Sequence, residues 1–333
     1  MTLIRIFVMM MLAGLVAGCA PAPADLIIYS ARNEEHVQEL FDQYTAATGQ
    51  KIQLITDDAG PLIQRLNAEG RNSPADVFIT VDAGMLWHAS ELGLLRSIES
   101  PILKANIPDN LRDPQNRWFG LAVRARTIVY STERVKPEEL STYESLTDSK
   151  WKGRLCLRTS KSEYNQSLVA MLIAQHGEEK TEQIVRGWVA NLATPVFAND
   201  ILLMKAIEAG QCDVGIVNTY YFGRLQRDEP NVPLKLFWAD QQGAGTHINI
   251  SGAGVTKYAP RAKQAQQFIE WLSQPEAQAR FAGVDLEYPA SPAGKPAEQV
   301  ASWGKFTPSP INVAKAGELQ PAAVRLMDRA GYL

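Results

Sequence analysis

The sequence predicts an α/β protein of two lobes joined by a two-strand hinge, and three observations carry that prediction. Short apolar strands alternate with amphipathic helices up to about position 92, and the alternation restarts at Trp151. Two long extended runs, over 119–131 and 246–255, follow the two alternating stretches. Alternation of this kind argues for a mixed, mainly parallel sheet covered by helices. A pair of extended crossings, near 123–131 and 248–255, argues for a hinge with a ligand cleft beside it.

The first strand is predicted over 25–30, which is apolar from Leu26 to Tyr29. A helix follows over 34–48, with Val37, Leu40, Phe41 and Tyr44 on one stripe and Gly49 as its stop. A strand over 52–55, a helix over 61–69 with Pro61 in its first turn, a strand over 77–81 and a helix over 83–92 complete the first stretch. The run 119–131 carries Arg124 and Arg126 at alternate positions, hence on one strand face. The second stretch reads as strand 154–157, helices 164–176 and 181–191, strand 194–196, helix 201–209, strand 213–217 and helix 220–225. Helices over 260–273 and 275–281 come after the second crossing. The chain divides accordingly into one lobe over 25–126 plus 250–285, a second over 127–249, and a C-terminal helical segment, 286–333, packing on both. No internal repeat or low-complexity stretch interrupts it.

The N-terminus fixes the compartment. Arg5 precedes a thirteen-residue apolar run over 6–18, too short to span a membrane and suited to a signal peptide over 1–18. Its ending, Leu15-Val16-Ala17-Gly18-Cys19, resembles a bacterial lipobox, which implies cleavage before Cys19 and lipidation of its thiol. Ordinary signal cleavage after 22–24, with loss of Cys19, is the alternative. Residues 19–24 then read as a Pro/Ala tether between anchor and fold. The exported chain of 315 residues carries 32 cationic against 36 acidic side chains, a net charge of −4. With no polybasic segment, nucleic acid and anionic lipid are excluded as partners, and the membrane is reached only through the anchor.

Cys156 and Cys212 are the cysteines left besides Cys19. In an oxidising compartment an isolated pair reads as one disulfide, and both lie in short apolar strands that could be neighbours in a sheet. No CxxC or Cys/His spacing accompanies them, which disfavours metal ligation.

The chemistry concentrates in Asn218-Thr219-Tyr220-Tyr221, where an apolar strand meets a helix-capping pair. Adjacent tyrosines on a strand point to opposite faces, whereas in the first turn of a helix they diverge by about 100° and can converge on one small object. Tyr164 stands at another strand-to-helix junction of the same lobe. A single Tyr-Tyr pair reads as core packing; three junction tyrosines in one lobe open a second reading. Phenol has a pKa of about 10, so it ligates near neutral pH when a hard cation displaces its proton. Three phenolates would neutralise Fe3+, and a bound anion completing its shell would need a cationic partner, for which Arg124 and Arg126 are candidates. An interlobe ion pair or a solvated strand face is the alternative role for these arginines.

With those residues in place the sequence resembles the ferric-ion-binding proteins of bacterial ABC importers, of the type II periplasmic-binding-protein fold. The resemblance runs over nearly the whole exported chain. Its motifs are Ile28-Tyr29-Ser30-Ala31-Arg32, Ser73-Pro74-Ala75-Asp76-Val77, Arg124-Ala125-Arg126, Tyr164-Asn165-Gln166-Ser167, Ala198-Asn199-Asp200 and Asn218-Thr219-Tyr220-Tyr221. It implies that Tyr164, Tyr220 and Tyr221 bind Fe3+. It also implies that the arginine strand, with Asn199 and Asn218, holds or orients a carbonate-like synergistic anion, Arg32 adding a contact. One departure stands out: many members place a histidine, sometimes His-Tyr, where this chain has Asn33-Glu34, and using His36 instead would need a register shift. The expectation is therefore three tyrosines from one lobe, with little or nothing ligating from the other.

The implied function is that of a monomeric, lipid-anchored receptor in the periplasm or at the cell surface, handing Fe3+ to an inner-membrane permease and its ATPase. A receptor for an organic or phosphorylated anion, with Arg124 and Arg126 as main contacts, is the alternative. No Ser/His/Asp spacing, phosphate-cradling glycine loop or HExxH occurs, which argues against an enzyme.

Overall fold

The computed structural model describes residues 25–333; the expected signal peptide over 1–18, the lipidation site Cys19 and the tether 19–24 lie outside the described residues. The first stretch folds as β1 Leu26–Ser30, α1 Glu34–Thr48, β2 Ile52–Thr56, α2 Ala59–Glu69, β3 Val77–Thr80, α3 Ala83–Glu91, α4 Pro101–Asn106 and β4 Phe119–Ser131. Gly49 ends α1 at φ 75°, a left-handed conformation that glycine adopts without a Cβ clash. Asp82 caps α3 by accepting the Met85 N–H at 3.0 Å.

The second stretch folds as β5 Leu155–Cys156, α5 Glu163–His176, α6 Glu178–Ala190, α7 Asp200–Glu208, β6 Val214–Asn218, α8 Thr219–Asp228 and β7 Leu234–Phe237. There follow β8 Ile248–Val255, α9 Ala262–Leu272, α10 Pro275–Gly283, β9 Tyr288–Pro289, α11 Glu298–Ser302, α12 Lys315–Glu318 and α13 Gln320–Arg329. The strand expected over 194–196 does not form. Pro195 has no N–H to give a ladder, and the segment keeps isolated bridges, Leu155 to Leu192 and Arg158 to Phe197, on either side of it.

The strands run in the order β2-β1-β3-β8-β4-β6-β5, with β7 and β9 also paired to β4. The sheet is mixed, as expected, but less parallel than the sequence suggested. The pairs β1–β2, β1–β3 and β5–β6 are parallel, and every antiparallel pair involves β4 or β8. The long strand β4 exchanges β8 for β6 and β7 along its length, so it pairs with neighbours in passing rather than through a helical crossover.

One apolar core gathers Leu26, Ile28, Phe78, Trp118 and Phe268; a second gathers Ile128, Trp151, Leu168, Trp188 and Ile216. The C-terminal segment joins both, Val313 entering the first and Leu326 and Tyr332 the second. The structure pairs Cys156 with Cys212 at a Cα–Cα distance of 5.9 Å across 56 residues of chain, a closure that stabilises by about 4 kcal/mol in the chain-entropy picture.

The partner exchange of β4 decides where the site forms. Arg124 pairs with Asn249 and Ala125 with Ile248 on β8, whereas Arg126 pairs with Asn218 on β6. The change of partner strand therefore falls between Ala125 and Arg126.

Candidate metal centre

Helix α8 starts directly where β6 ends, so Tyr220 and Tyr221 occupy its first turn and face the space between the lobes. Their ring centroids lie 4.4 Å apart with planes inclined at 39°. Tyr164, in the first turn of α5, meets Tyr220 edge-on at 6.5 Å and 87°. The three phenols line a cleft with a cavity volume of about 180 Å3. Ala31, Arg32, Asn33, Val81, Arg124, Arg224, Ser251, Asp285 and Glu287 complete its walls.

Burial, ahead of the neighbouring charges, pushes the Tyr164 phenol up to about 12 even though Arg124 pulls it down. Tyr220 stands well above the ordinary phenol range, first through burial and then through the other two tyrosines. Both are neutral at pH 7 until a cation pays the cost of removing the proton. Guanidinium groups already surround the rings. Arg124 lies 5.7 Å from the Tyr164 centroid, and Arg224 lies 5.2 Å and 5.7 Å from those of Tyr220 and Tyr221. Among the described residues no group of three or more His, Cys, Asp or Glu is arranged to hold a metal. The cleft walls carry the oxygens of the three phenols and of the Asp285 and Glu287 carboxylates.

The arginines of β4 part company. Arg124 donates one N–H to the Val81 carbonyl, while its Nη1, 3.7 Å from Glu287 Oε1, has no hydrogen-bond partner. Arg126 instead lies behind the cleft and is saturated. Its Nε donates to Asn165 Oδ1 at 2.9 Å, Nη1 to Asp200 Oδ2 at 3.0 Å and to Asn218 Oδ1 at 3.2 Å, and Nη2 to the Ile216 carbonyl at 3.1 Å. Arg126, expected beside Arg124 at the anion, is thus not among the residues lining the cleft, because it pairs with β6 just past the point where β4 changes partner strand.

Asn199 also stays out of the cleft walls: its side chain caps α7, accepting the Leu202 N–H at 2.9 Å. Asn218 lies behind the wall too, and its Nδ2 donates to the Tyr220 oxygen at 3.3 Å, so it can orient that phenol. Arg32 does reach the cleft, but its Nε donates to Asp285 at 2.8 Å, its Nη2 donates to the Phe281 carbonyl at 2.9 Å, and its plane lies 4.0 Å over the Phe281 ring. Asn33, at the position where many members carry a histidine, is exposed on the cleft wall.

Sequence reasoning missed three charged residues of the wall. Arg224 follows Tyr220 by four positions on α8, a same-face spacing that could have revealed it. It reaches across to Asp285 of the other lobe at 3.2 Å. Glu287 is 4% exposed, accepts from Ser251 Oγ at 3.1 Å and faces Arg32 at 3.4 Å. No local signal marks Asp285 or Glu287, which owe their places to the turn between α10 and β9.

Comparison with known proteins gives this geometry a family. The pattern of the bacterial extracellular solute-binding proteins matches residues 72–307. Iron uptake protein A1 of Synechocystis is 43% identical over 315 residues, covering 92% of this chain and 87% of that protein. A Trichodesmium protein solved in complex with iron and citrate superposes with a TM-score of 0.90 at 44% identity, over 92% of this chain and 99% of that one. Apo FutA2 from Synechocystis superposes with a TM-score of 0.89 at 39% identity, over 93% and 100%. The chain belongs to the bacterial extracellular solute-binding proteins.

Proposed function

We propose that this protein is a ferric-iron-binding receptor of an iron-uptake system, working in the periplasm. The observation that carries the reading is the cluster of three phenols, Tyr164, Tyr220 and Tyr221, in one cleft with Arg124 beside them. Three phenolates balance the charge of Fe3+. The Nη1 of Arg124, which makes no hydrogen bond to the protein, then offers a donor to an anion in the remaining coordination positions. The relative solved with iron and citrate supports an oxyanion in that role, and a carbonate-like ion suits the cavity of about 180 Å3. The receptor binds and releases its cargo unchanged and is not an enzyme.

In this reading the lobes, 25–126 with 250–285 and 127–249, close about β4 and β8, and the segment 286–333 packs on both. The closed monomer delivers the ion to an ABC permease driven by its ATPase, while a lipid on Cys19 keeps the receptor at the membrane. Loading must be reversible on docking, so closure is worth a few kcal/mol rather than tens.

The test is visible absorption of the iron-free protein as ferric salt is added with bicarbonate or citrate. A phenolate-to-iron charge-transfer band is expected, and it should be lost in Tyr220→Phe/Tyr221→Phe. A protein that stays colourless and shows no ferric affinity, but binds organic or phosphorylated anions by calorimetry in iron-free buffer, would sink the proposal.

A further inference from the structure

Arg158 lies two residues beyond β5 and is not among the residues lining the cavity. Its backbone is pinned. Its carbonyl accepts from Asn165 Nδ2 at 2.8 Å and from the Tyr332 hydroxyl at 2.6 Å, and a bridge ties it to Phe197. Its guanidinium is pinned as well, with Nη1 3.6 Å from Oδ1 of the fully buried Asp200. From there it faces two candidate ligands, its central carbon 5.1 Å from the Tyr164 centroid and 6.0 Å from that of Tyr221.

What sets Arg158 apart from Arg126 is unused capacity. Arg126 spends its three nitrogens on acceptors of four residues, Asn165, Asp200, Asn218 and Ile216. Arg158 Nε and Nη1 are buried with no hydrogen-bond partner. Buried donors without a hydrogen bond are costly, so this guanidinium keeps capacity for a stronger acceptor, and Tyr221 is the phenol that already reaches it with a side-chain hydrogen bond. The acceptors that chemistry can create beside this guanidinium are phenol oxygens. A phenolate is a far stronger acceptor for a guanidinium than the neutral phenol it replaces.

We propose that Arg158 is a positioning residue for the Tyr221 phenolate: held by Asp200 and Tyr332, it donates to that oxygen. The inference rests on the reading of the tyrosines as ferric ligands. Its contact is strong only once the phenol has lost its proton to solvent, so it stabilises the loaded site over the empty one. It also lowers the energy of the phenolate electrons, which moves the charge-transfer band to shorter wavelength.

The experiment compares Arg158→Gln, Arg158→Met and Arg158→Lys, alone and in a Tyr221→Phe background. Folding is checked by near-ultraviolet dichroism, and the Met variant carries the test where the Gln variant does not fold. Loss of the charge should shift the band to longer wavelength and speed iron loss to a competing chelator roughly tenfold or more, with Arg158→Lys in between. In Tyr221→Phe the same substitutions should leave the band where it is, since the coupled partner is gone. A wild-type band position in the Gln or Met variant, or an equal shift in the Tyr221→Phe background, overturns the inference while leaving the iron reading intact. A colourless wild-type protein overturns both.

Discussion

Arg126 and Asp200 form an ion pair at 3.0 Å with side chains 2% and 0% exposed, directly behind the tyrosine cluster. Asp200 also accepts the backbone N–H of Asn218 at 2.8 Å and stands 3.6 Å from Arg158. One carboxylate thus ties α7 to β4, to β6 and to the segment after β5. Removing it leaves two guanidinium groups short of a counter-charge away from water, and breaking such a pair costs about 3–5 kcal/mol. Asp200→Ala should therefore lower the urea midpoint by a corresponding amount at unchanged slope. A loss below about 1 kcal/mol would show that the network is not a keystone of this lobe.

The two arginines of β4 should separate experimentally. Arg124 keeps an Nη1 without a hydrogen bond, 3.7 Å from Glu287, on the cleft wall, whereas Arg126 is consumed by the protein. Arg124→Leu is expected to weaken ferric binding by about 10- to 100-fold, the worth of one hydrogen bond to a charged group, and to abolish its dependence on bicarbonate or citrate. Arg126→Leu should chiefly cost stability. Chelator competition across a range of anion concentrations reads the difference. Anion dependence retained in Arg124→Leu would remove that residue from the anion site.

Most of the framework was legible from periodicity. The helix over 34–48 and the extended run over 119–131 coincide with α1 and β4, because stripe, stop and composition agree there. The Tyr164, Tyr220 and Tyr221 cluster was legible too, since each tyrosine opens a helix just after a strand and such junctions gather at one edge of a sheet. The roles of Arg124 and Arg126 were not separable. Spacing gives them one strand face, and nothing local reveals that β4 exchanges β8 for β6 between them. Glu287 was equally hidden, for its neighbours Arg32, Arg124 and Ser251 come from distant parts of the chain.

Proton release should accompany iron binding. Burial pushes Tyr164 up to about 12 and holds Tyr220 well above the ordinary phenol range, so both phenols enter the reaction protonated at pH 7. Each phenol that ligates gives up one proton. The loaded form therefore binds fewer protons, and apparent affinity should climb tenfold per pH unit for each ligating phenol, while acid drives release. Calorimetry in buffers of different ionisation enthalpy, with a fixed competing chelator, counts the protons. A yield near zero would mean that the phenols are walls rather than ligands.

The iron-free protein should carry a separate acid sensitivity at the hinge. His247 lies just before β8, is 4% exposed, and donates its backbone N–H to the Tyr143 hydroxyl at 3.1 Å. Its Nε2 lies 3.3 Å from Ser167 Oγ, and its Nδ1 has no hydrogen-bond partner. Burial first, then the Arg126 and Arg124 cations, hold the imidazole down to about 3 from an ordinary 6.5. Between those values the unfolded chain takes up a proton that the folded chain refuses. Stability is thus full above pH 6.5 and falls as the pH drops through it, approaching roughly 1.4 kcal/mol per unit. His247→Gln removes that uptake and should flatten this part of the profile. Urea midpoints of both proteins from about pH 7.5 to 5 measure it, and equal slopes would mean that the buried imidazole is not the group being charged on acid unfolding.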